Sequence, residues 1–336
     1  LNLDHRRSRI SSYNFFIFAS VSQTNLNAKA ITFIIPISIV DWFFLSLVGA
    51  SALAVTGVID KFILSKYVHN PLAYLAALVV MQQMLIAVIP VYLGWGFVYP
   101  QTFYAMAAGC IQVVLWSAYL LALHVEETSR VAAMVFVFPV FVFLGSFLLL
   151  GETLAVKDYA GGALLVCSAL LISYRPAERG SPAIVSPALK YMAVFWIFSA
   201  AYALAAKYLL AFMNEWHLIL WSSLGSLLAV LPLLYRKPVR REFAAYFRRG
   251  PFLLSALLAD ELFDFLGRGA FIFAYAVGSV ALVSSVAALQ PFITLIYVLL
   301  LGLFVPGILQ EELDRKTMAL KTVAILLIVV GVYLVS

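Results

Sequence analysis

The chain has 336 residues, of which 64% are hydrophobic and only 11% charged, with a mean hydropathy of +1.02. That composition excludes a soluble globular domain and marks a polytopic helical membrane protein. The formal charge of +6 is a loop property, so it bears on membrane orientation and not on nucleic-acid binding.

Residues 1–40 stand apart from the rest. They mix Arg6, Arg7 and Arg9 with Ser and Asn, and their two apolar pieces are too short to span alone, the second being interrupted by Pro36. Neither the continuous apolar core nor the small-residue cleavage site of a signal peptide is found. The first residue is Leu1, and the expectation is a poorly ordered extension, or translated sequence upstream of the true start, with no function attached.

From Trp42 onward, apolar runs near 42–64, 72–94, 102–123, 128–150 and 155–174 each suit a membrane helix. Tyr174-Arg175-Pro176 through Gly180-Ser181-Pro182 has linker composition. Five more runs follow near 188–211, 217–235, 252–275, 279–304 and 317–335. The expected architecture is all-α, with ten transmembrane helices: a five-helix repeat over 41–174, a linker over 175–187 and a second five-helix repeat over 188–336.

The two halves echo each other. The first helix of each ends in a lysine on an apolar stem, Lys61 and Lys207; the second ends in a proline, Pro90 and Pro232. The fourth carries a proline within it, Val137-Phe138-Pro139-Val140 against Leu289-Gln290-Pro291-Phe292. Five is odd, so the second copy enters the membrane from the opposite side, which predicts an inverted repeat with its site near the midplane. Setting Pro139 on Pro291 places Gln112 over Asp264, Trp116 over Arg268 and Tyr119 over Phe271. Pro139 and Pro291 are candidate hinges, with ordinary packing kinks as the alternative.

One run is chemically unlike the others. Within 252–275 lie Asp260, Glu261, Asp264 and Arg268. Each costs roughly 2.5–3.5 kcal/mol at a helix centre, so the set would cost on the order of 10 kcal/mol facing lipid. At about 100° per residue, Asp260, Asp264, Arg268 and Glu261 fall at about 0°, 40°, 80° and 100°, within one quadrant. Phe271 and Tyr275 extend that stripe, and Leu258, Leu262, Leu266 and Phe273 occupy the other side. Asp264 and Arg268 can form a structural i, i+4 pair, which leaves Asp260 and Glu261 without a partner on their own helix. Carboxylates inside a membrane are candidates for a proton relay, a cation site or a cationic-substrate site.

The motifs Ala118-Tyr119-Leu120-Leu121-Ala122-Leu123, Thr128-Ser129-Arg130-Val131-Ala132, Phe138-Pro139-Val140 and Leu150-Gly151-Glu152-Thr153-Leu154, followed by Gly161-Gly162, resemble the EamA-like family of the drug/metabolite transporter superfamily. The resemblance covers residues ~42–336 and implies ten helices, two inverted repeats and secondary transport of small metabolites, often efflux. The lysine ending the first helix is also similar to that family's pattern. Two features depart from it: Met81-Gln82-Gln83-Met84 stands where an arginine is frequent, and the acidic stripe of 252–275 is not part of the general pattern.

Loop charges are lopsided. Six basic residues lie between Arg236 and Arg249 alone, whereas the alternate set of loops holds only Lys157. The positive-inside rule puts the rich loops in the cytoplasm and the C-terminus outside; the family resemblance implies both termini inside. Lys61 and Lys207 read either as interfacial lysines or as candidate gates. Glu126, Glu127 and Arg130 read as a solvated loop cluster, and Glu152 as a structural contact to the following helix. Cys110 and Cys167 read as packing residues, and the four histidines have no metal-ligand spacing.

These features predict a secondary active transporter that moves a small polar metabolite, such as an amino acid, by alternating access, with export the expected direction. Asp260, Glu261 and Asp264 would take a proton, a cation or an amino group, Arg268 would hold a carboxylate or balance the acids, and Gln112, Trp116 and Tyr119 would line the opposite wall. A passive channel or a ligand-binding sensor is the alternative. An intramembrane enzyme lacks a convergent nucleophile and base, and a primary pump lacks the GxxxxGK[ST] loop. Expected partners are the lipid bilayer, the substrate, a proton or cation as coupling ion and, in a homodimer, a second copy; no cofactor, metal or nucleic acid is expected. The expected location is the plasma membrane of a prokaryote, as a multi-pass protein.

Overall fold

The computed structural model describes residues 41–126, 131, 134–173, 188–304 and 315–335, and every regular element among them is helical. The N-terminal extension, the linker at 175–187 and the Glu127–Arg130 turn fall outside the described residues. In chain order the helices are α1 (Trp42–Lys66), α2 (Pro71–Ile86), α3 (Val88–Leu93), α4 (Gln101–Val125), α5 (Phe138–Gly145), α6 (Val156–Ser173) and α7 (Leu189–Leu209). They continue with α8 (Glu215–Val230), α9 (Lys237–Tyr246), α10 (Pro251–Val277), α11 (Val280–Ala287), α12 (Gln290–Phe304) and α13 (Arg315–Val335).

Five stretches among the described residues are long and apolar enough to cross a membrane: Trp42–Leu64, Pro71–Leu93, Gln101–Val125, Leu189–Leu209 and Glu215–Tyr235. The remaining apolar segments are interrupted or carry charge, for local reasons. The run expected at 279–304 is two helices, α11 and α12, meeting at a tight turn where Ala288 N–H and Leu289 N–H donate to Ser285 and Val286 carbonyls. Pro291 then occupies the first turn of α12, where its missing N–H costs nothing. Pro139 has the same place in α5. In both, the proline starts a half-helix and does not bend a continuous one.

Ends are set by short polar caps. Asn70 Oδ1 accepts from Leu72 N–H (3.1 Å) and Ala73 N–H (3.4 Å) to start α2, and Asn214 Oδ1 accepts from His217 N–H (2.8 Å) to start α8. After α5 a π-helical turn, Ser146–Leu150, stops at Gly151, whose φ of 65° suits glycine. That turn aims Glu152 across the bundle: its carboxylate accepts from Ser279 Oγ (2.7 Å) and Val280 N–H (3.3 Å) at the start of α11. Glu152 therefore contacts the far half of the chain and not the following helix. Cys110 and Cys167 are both exposed; the Cys110 thiol still reaches Gly225 O of α8 at 3.5 Å, whereas Cys167 departs from the packing role expected of it.

Glycines bring helices together in pairs. A Cβ on Gly49 of α1 would sit 3.1 Å from Gly267 O of α10, and one on Gly267 would sit 3.2 Å from Gly49 O. Gly109 of α4 and Gly225 of α8 each face the other helix's backbone so closely that any side chain would collide. Small residues at crossing points let membrane helices approach where no hydrophobic drive separates protein from lipid. The resulting order is specific: α1 packs along α10 and α12, α7 along α4 and α5, α8 along α2 and α4, α10 also on α2, and α6 on α13. The amphipathic helix α9, absent from the sequence expectation, lies against α2 between α8 and α10.

Candidate functional site

The polar stripe of α10 faces the interior. Asp260, Glu261 and Asp264 are 1%, 3% and 8% exposed, whereas Leu258, Leu262 and Leu266 on the opposite side are 42%, 44% and 49% exposed. Gly267 sits within the stripe and seats α10 against α1, so the acids lie where helices are closest. Arg268 pairs with Asp264 one turn earlier and reaches Glu261 Oε2 at 3.7 Å. Its guanidinium also meets the carboxamide of Gln82 on α2. With the amide oriented to satisfy both ends, Gln82 oxygen accepts from Arg268 Nη1 (3.2 Å) and its nitrogen donates to Ser223 Oγ (3.0 Å) on α8. Gln83 adds a second link to the same hydroxyl, donating from Nε2 at 2.9 Å.

A further carboxylate joins from α1. Asp60 accepts a 2.5 Å hydrogen bond from Tyr74 OH of α2 and lies within electrostatic range of Asp260 and Asp264. Asp260 is nearly sealed from solvent, and its Oδ1 has no hydrogen-bond partner. The cluster thus sets four carboxylates against one guanidinium in the interior of the helix bundle. Breaking such a buried pair leaves an uncompensated charge, while completing it needs protons or cations. Among the described residues no group of His, Cys, Asp and Glu side chains is arranged to hold a metal ion.

Next to Arg268 lies a small cavity of about 20 Å³, lined among others by Gln82, Gln112, Tyr202, Ser222, Ser223 and Arg268. Gln112 is fixed there by Ser226, whose Oγ donates to Gln112 Oε1 at 3.3 Å and lies 2.9 Å from Gly109 O. The cavity therefore gathers polar groups from α2, α4, α7, α8 and α10. Hydroxyls and amides surround one cation there, an arrangement that can orient a small polar molecule.

The sequence-derived candidates divide into two groups. Asp260, Glu261, Asp264, Arg268 and Gln112 belong to the cluster and cavity just described. Trp116 and Tyr119 pack edge to face, centroids 5.7 Å apart, and both rest on Phe195 of α7; Tyr119 also lies in the field of Asp60. Lys207 donates to Tyr275 O and Gly278 O, both at 2.7 Å, so it caps the C-terminal end of α10 while Glu152 caps the N-terminal end of α11. A cation at a helix C-terminus and a carboxylate at an N-terminus both oppose the local dipole, so this pair stabilises the break at Gly278-Ser279. Lys61 lies in α1, but its side chain falls outside the described residues. The half-helix starts at Pro139 and Pro291 are described above.

Asp60, Tyr74, Gln82, Ser222, Ser223 and Ser226 escaped the sequence reading. The available signal was polarity inside apolar runs: a carboxylate two turns before the end of α1, an amide pair in α2 and a serine cluster in α8. Each group alone looks affordable in a helix, and only packing shows that they converge.

No family model matches the chain, and no curated protein matches it. Among the solved structures it matches is one described only as a crystal structure of a protein. It aligns with a TM-score of 0.63 over 87% of this chain and 96% of that one, at 15% identity. At that identity the likeness establishes a shared fold and nothing about chemistry. The chain is an all-helical protein with the long apolar helices of a membrane-embedded one.

Proposed function

We propose that the protein is a secondary active transporter of the EamA-like, drug/metabolite transporter kind. It moves a small polar metabolite by alternating access between two inverted five-helix repeats, with export as the direction. The observation that carries this reading is the buried charged face of α10 meeting polar groups of α2, α4 and α8 around one cavity. Arg268 and the amides of Gln82 and Gln112 orient the substrate, and the carboxylates Asp260, Glu261 and Asp264 take the coupling proton or cation or the substrate's amino group.

Support for the repeat comes from the packing order. Exchanging the halves maps α1 onto α7, α2 onto α8, α4 onto α10, α5 onto α11 and α12, and α6 onto α13. Under that exchange the α1–α10 contact becomes α7–α4, α1–α12 becomes α7–α5, and α2–α10 becomes α8–α4, all of them packed pairs. The α2–α8 and α6–α13 contacts map onto themselves. Ten spans follow if α5 with its π-helical turn, α6, α10, α11 with α12, and α13 cross alongside the five long apolar stretches. Such a frame places ligands near the midplane between the repeats.

Counterflow separates a carrier from a channel. Proteoliposomes loaded with an unlabelled amino-acid and amine panel should transiently accumulate the labelled counterpart of the true substrate. Flux that never overshoots equilibrium for any transported compound would instead identify a channel.

A further inference from the structure

The charge of α9 is sorted by face. The stretch Arg236–Gly250 holds six basic residues and a single acid, Glu242. Glu242 is turned inward: its Oε1 accepts from His69 N–H (2.7 Å), Asn70 N–H (3.1 Å) and Tyr246 OH (2.7 Å), which fixes α9 on the loop before α2. Burial opposes its ionisation, but these donors outweigh it and hold the carboxyl below the usual range. Tyr246, buried beside that carboxylate, is pushed up. Arg249 is also engaged, donating from Nη1 to Tyr67 O at 2.5 Å.

The acid of the stretch is therefore consumed internally, and Arg236, Lys237, Arg240, Arg241 and Arg248 remain exposed. Among the described residues no carboxylate pairs with any of these five. The inner side of α9 is occupied by protein, with Val239 and Tyr246 buried. Chain continuity fixes the height of this surface. The apolar stretch Glu215–Tyr235 ends immediately before it, and the apolar start of α10, Pro251-Phe252-Leu253-Leu254, begins immediately after it. Large aromatic side chains flank it on both sides, with Tyr235 85% and Phe252 61% exposed. Exposed aromatic rings beside basic residues are the signature of the headgroup level.

We propose that the outer face of α9 is a binding surface for anionic phospholipid headgroups in the leaflet on its own side. Arg240, Arg241 and Arg248 contact the phosphates, and Tyr235 and Phe252 sit at the acyl boundary. Charge complementarity selects the occupant. Several adjacent cations without internal partners, held at a membrane edge, attract anionic lipid. The surface is also close to the candidate site, because the Tyr246 ring packs edge-on to Tyr74, centroids 6.5 Å apart, and Tyr74 holds Asp60. The inference rests on membrane embedding and not on transport.

The test is thermal unfolding of the full chain in neutral detergent, titrated with phosphatidylglycerol or with phosphatidylcholine. The triple variant Arg240→Gln/Arg241→Gln/Arg248→Gln is compared with wild type and with Lys157→Gln as a remote control. Phosphatidylglycerol should raise the wild-type and Lys157→Gln melting temperatures and phosphatidylcholine should not. The triple variant should need on the order of a hundredfold more phosphatidylglycerol for the same rise. In wild type, high salt should erase the response, an arm that needs no variant. Equal responses to both lipids, an undiminished response in the triple variant, salt insensitivity, or the same shift from soluble polyphosphate would each overturn the proposal.

Discussion

Helices α9 and α10 are neighbours in the chain, separated by Phe247–Gly250, and both are rich in charge, yet they handle it in opposite ways. On α9 the basic residues face outward and the lone acid is satisfied by three donors. On α10 three acids and an arginine face inward, and Asp260 Oδ1 and Arg268 Nε have no hydrogen-bond partner. Hydrated or fully bonded charge is cheap to maintain, so it can serve orientation and surface contacts. Buried, underpaired charge is expensive, and its persistence points to work that an apolar side chain could not do. The left-handed Gly250, with φ of 107°, lets the chain pass from one regime to the other within a single turn.

Substitutions should separate the two regions in a definite order. Arg268→Gln should be the most damaging, since it strands Asp264 and Glu261: a loss of about 3–5 kcal/mol, read as a large drop in melting temperature and in yield of folded protein. Adding Asp264→Asn to it should recover about 1–3 kcal/mol, a coupling that a double-mutant cycle measures directly. If the two changes simply add, the pair is not the electrostatic unit described here. Tyr74→Phe comes next. Removing the donor to buried Asp60 should cost about 1–3 kcal/mol in chemical or thermal unfolding, although the ring contact to Tyr246 survives.

On α9 the effects should shrink. Glu242→Gln should cost about 1 kcal/mol, because the amide oxygen still accepts but without charge. The sign of its pH dependence is fixed by the lowered folded-state value. The stabilisation is fully present above the ordinary carboxylate range and is lost as pH falls through the depressed folded value. Wild type and Glu242→Gln should therefore converge in melting temperature towards acid pH and diverge towards neutrality; a constant gap would show that the charge is irrelevant. Arg241→Gln should leave the melting temperature in neutral detergent unchanged within about 1 °C, since a hydrated surface cation has nothing to lose.

Much of this contrast was legible in the sequence, and the boundary of legibility is physical. Helical periodicity alone put Asp260, Glu261, Asp264 and Arg268 on one face and Leu258, Leu262 and Leu266 on the other, because spacing on a helix is intrinsic to the chain. Most apolar runs were located to within a few residues for the same reason. Periodicity carries no information about which helices touch. Met81-Gln82-Gln83-Met84 reads as a missing arginine until α2 packs on α10 and Gln82 meets Arg268, and Asp60 joins the acidic stripe only through the close packing of α1 on α10. Glu152 reads from sequence as a contact to the following helix, yet it caps α11 across the bundle. Helix α9 was hidden by its basic residues, which read as loop charge until the pattern Val239, Glu242, Phe243, Tyr246 is seen to form one inward face.

The most direct measurement is flux of the counterflow-identified substrate into proteoliposomes, with and without a pH gradient. Wild type is compared with Asp260→Asn, Glu261→Gln and Asp264→Asn, each first shown to be folded. Gradient-driven flux in wild type, abolished in at least one variant that still supports counterflow, is the expected result and would make that carboxylate the coupling group. Wild-type gradient-driven flux in all three variants would contradict the account, and the buried stripe of α10 would then be scaffolding.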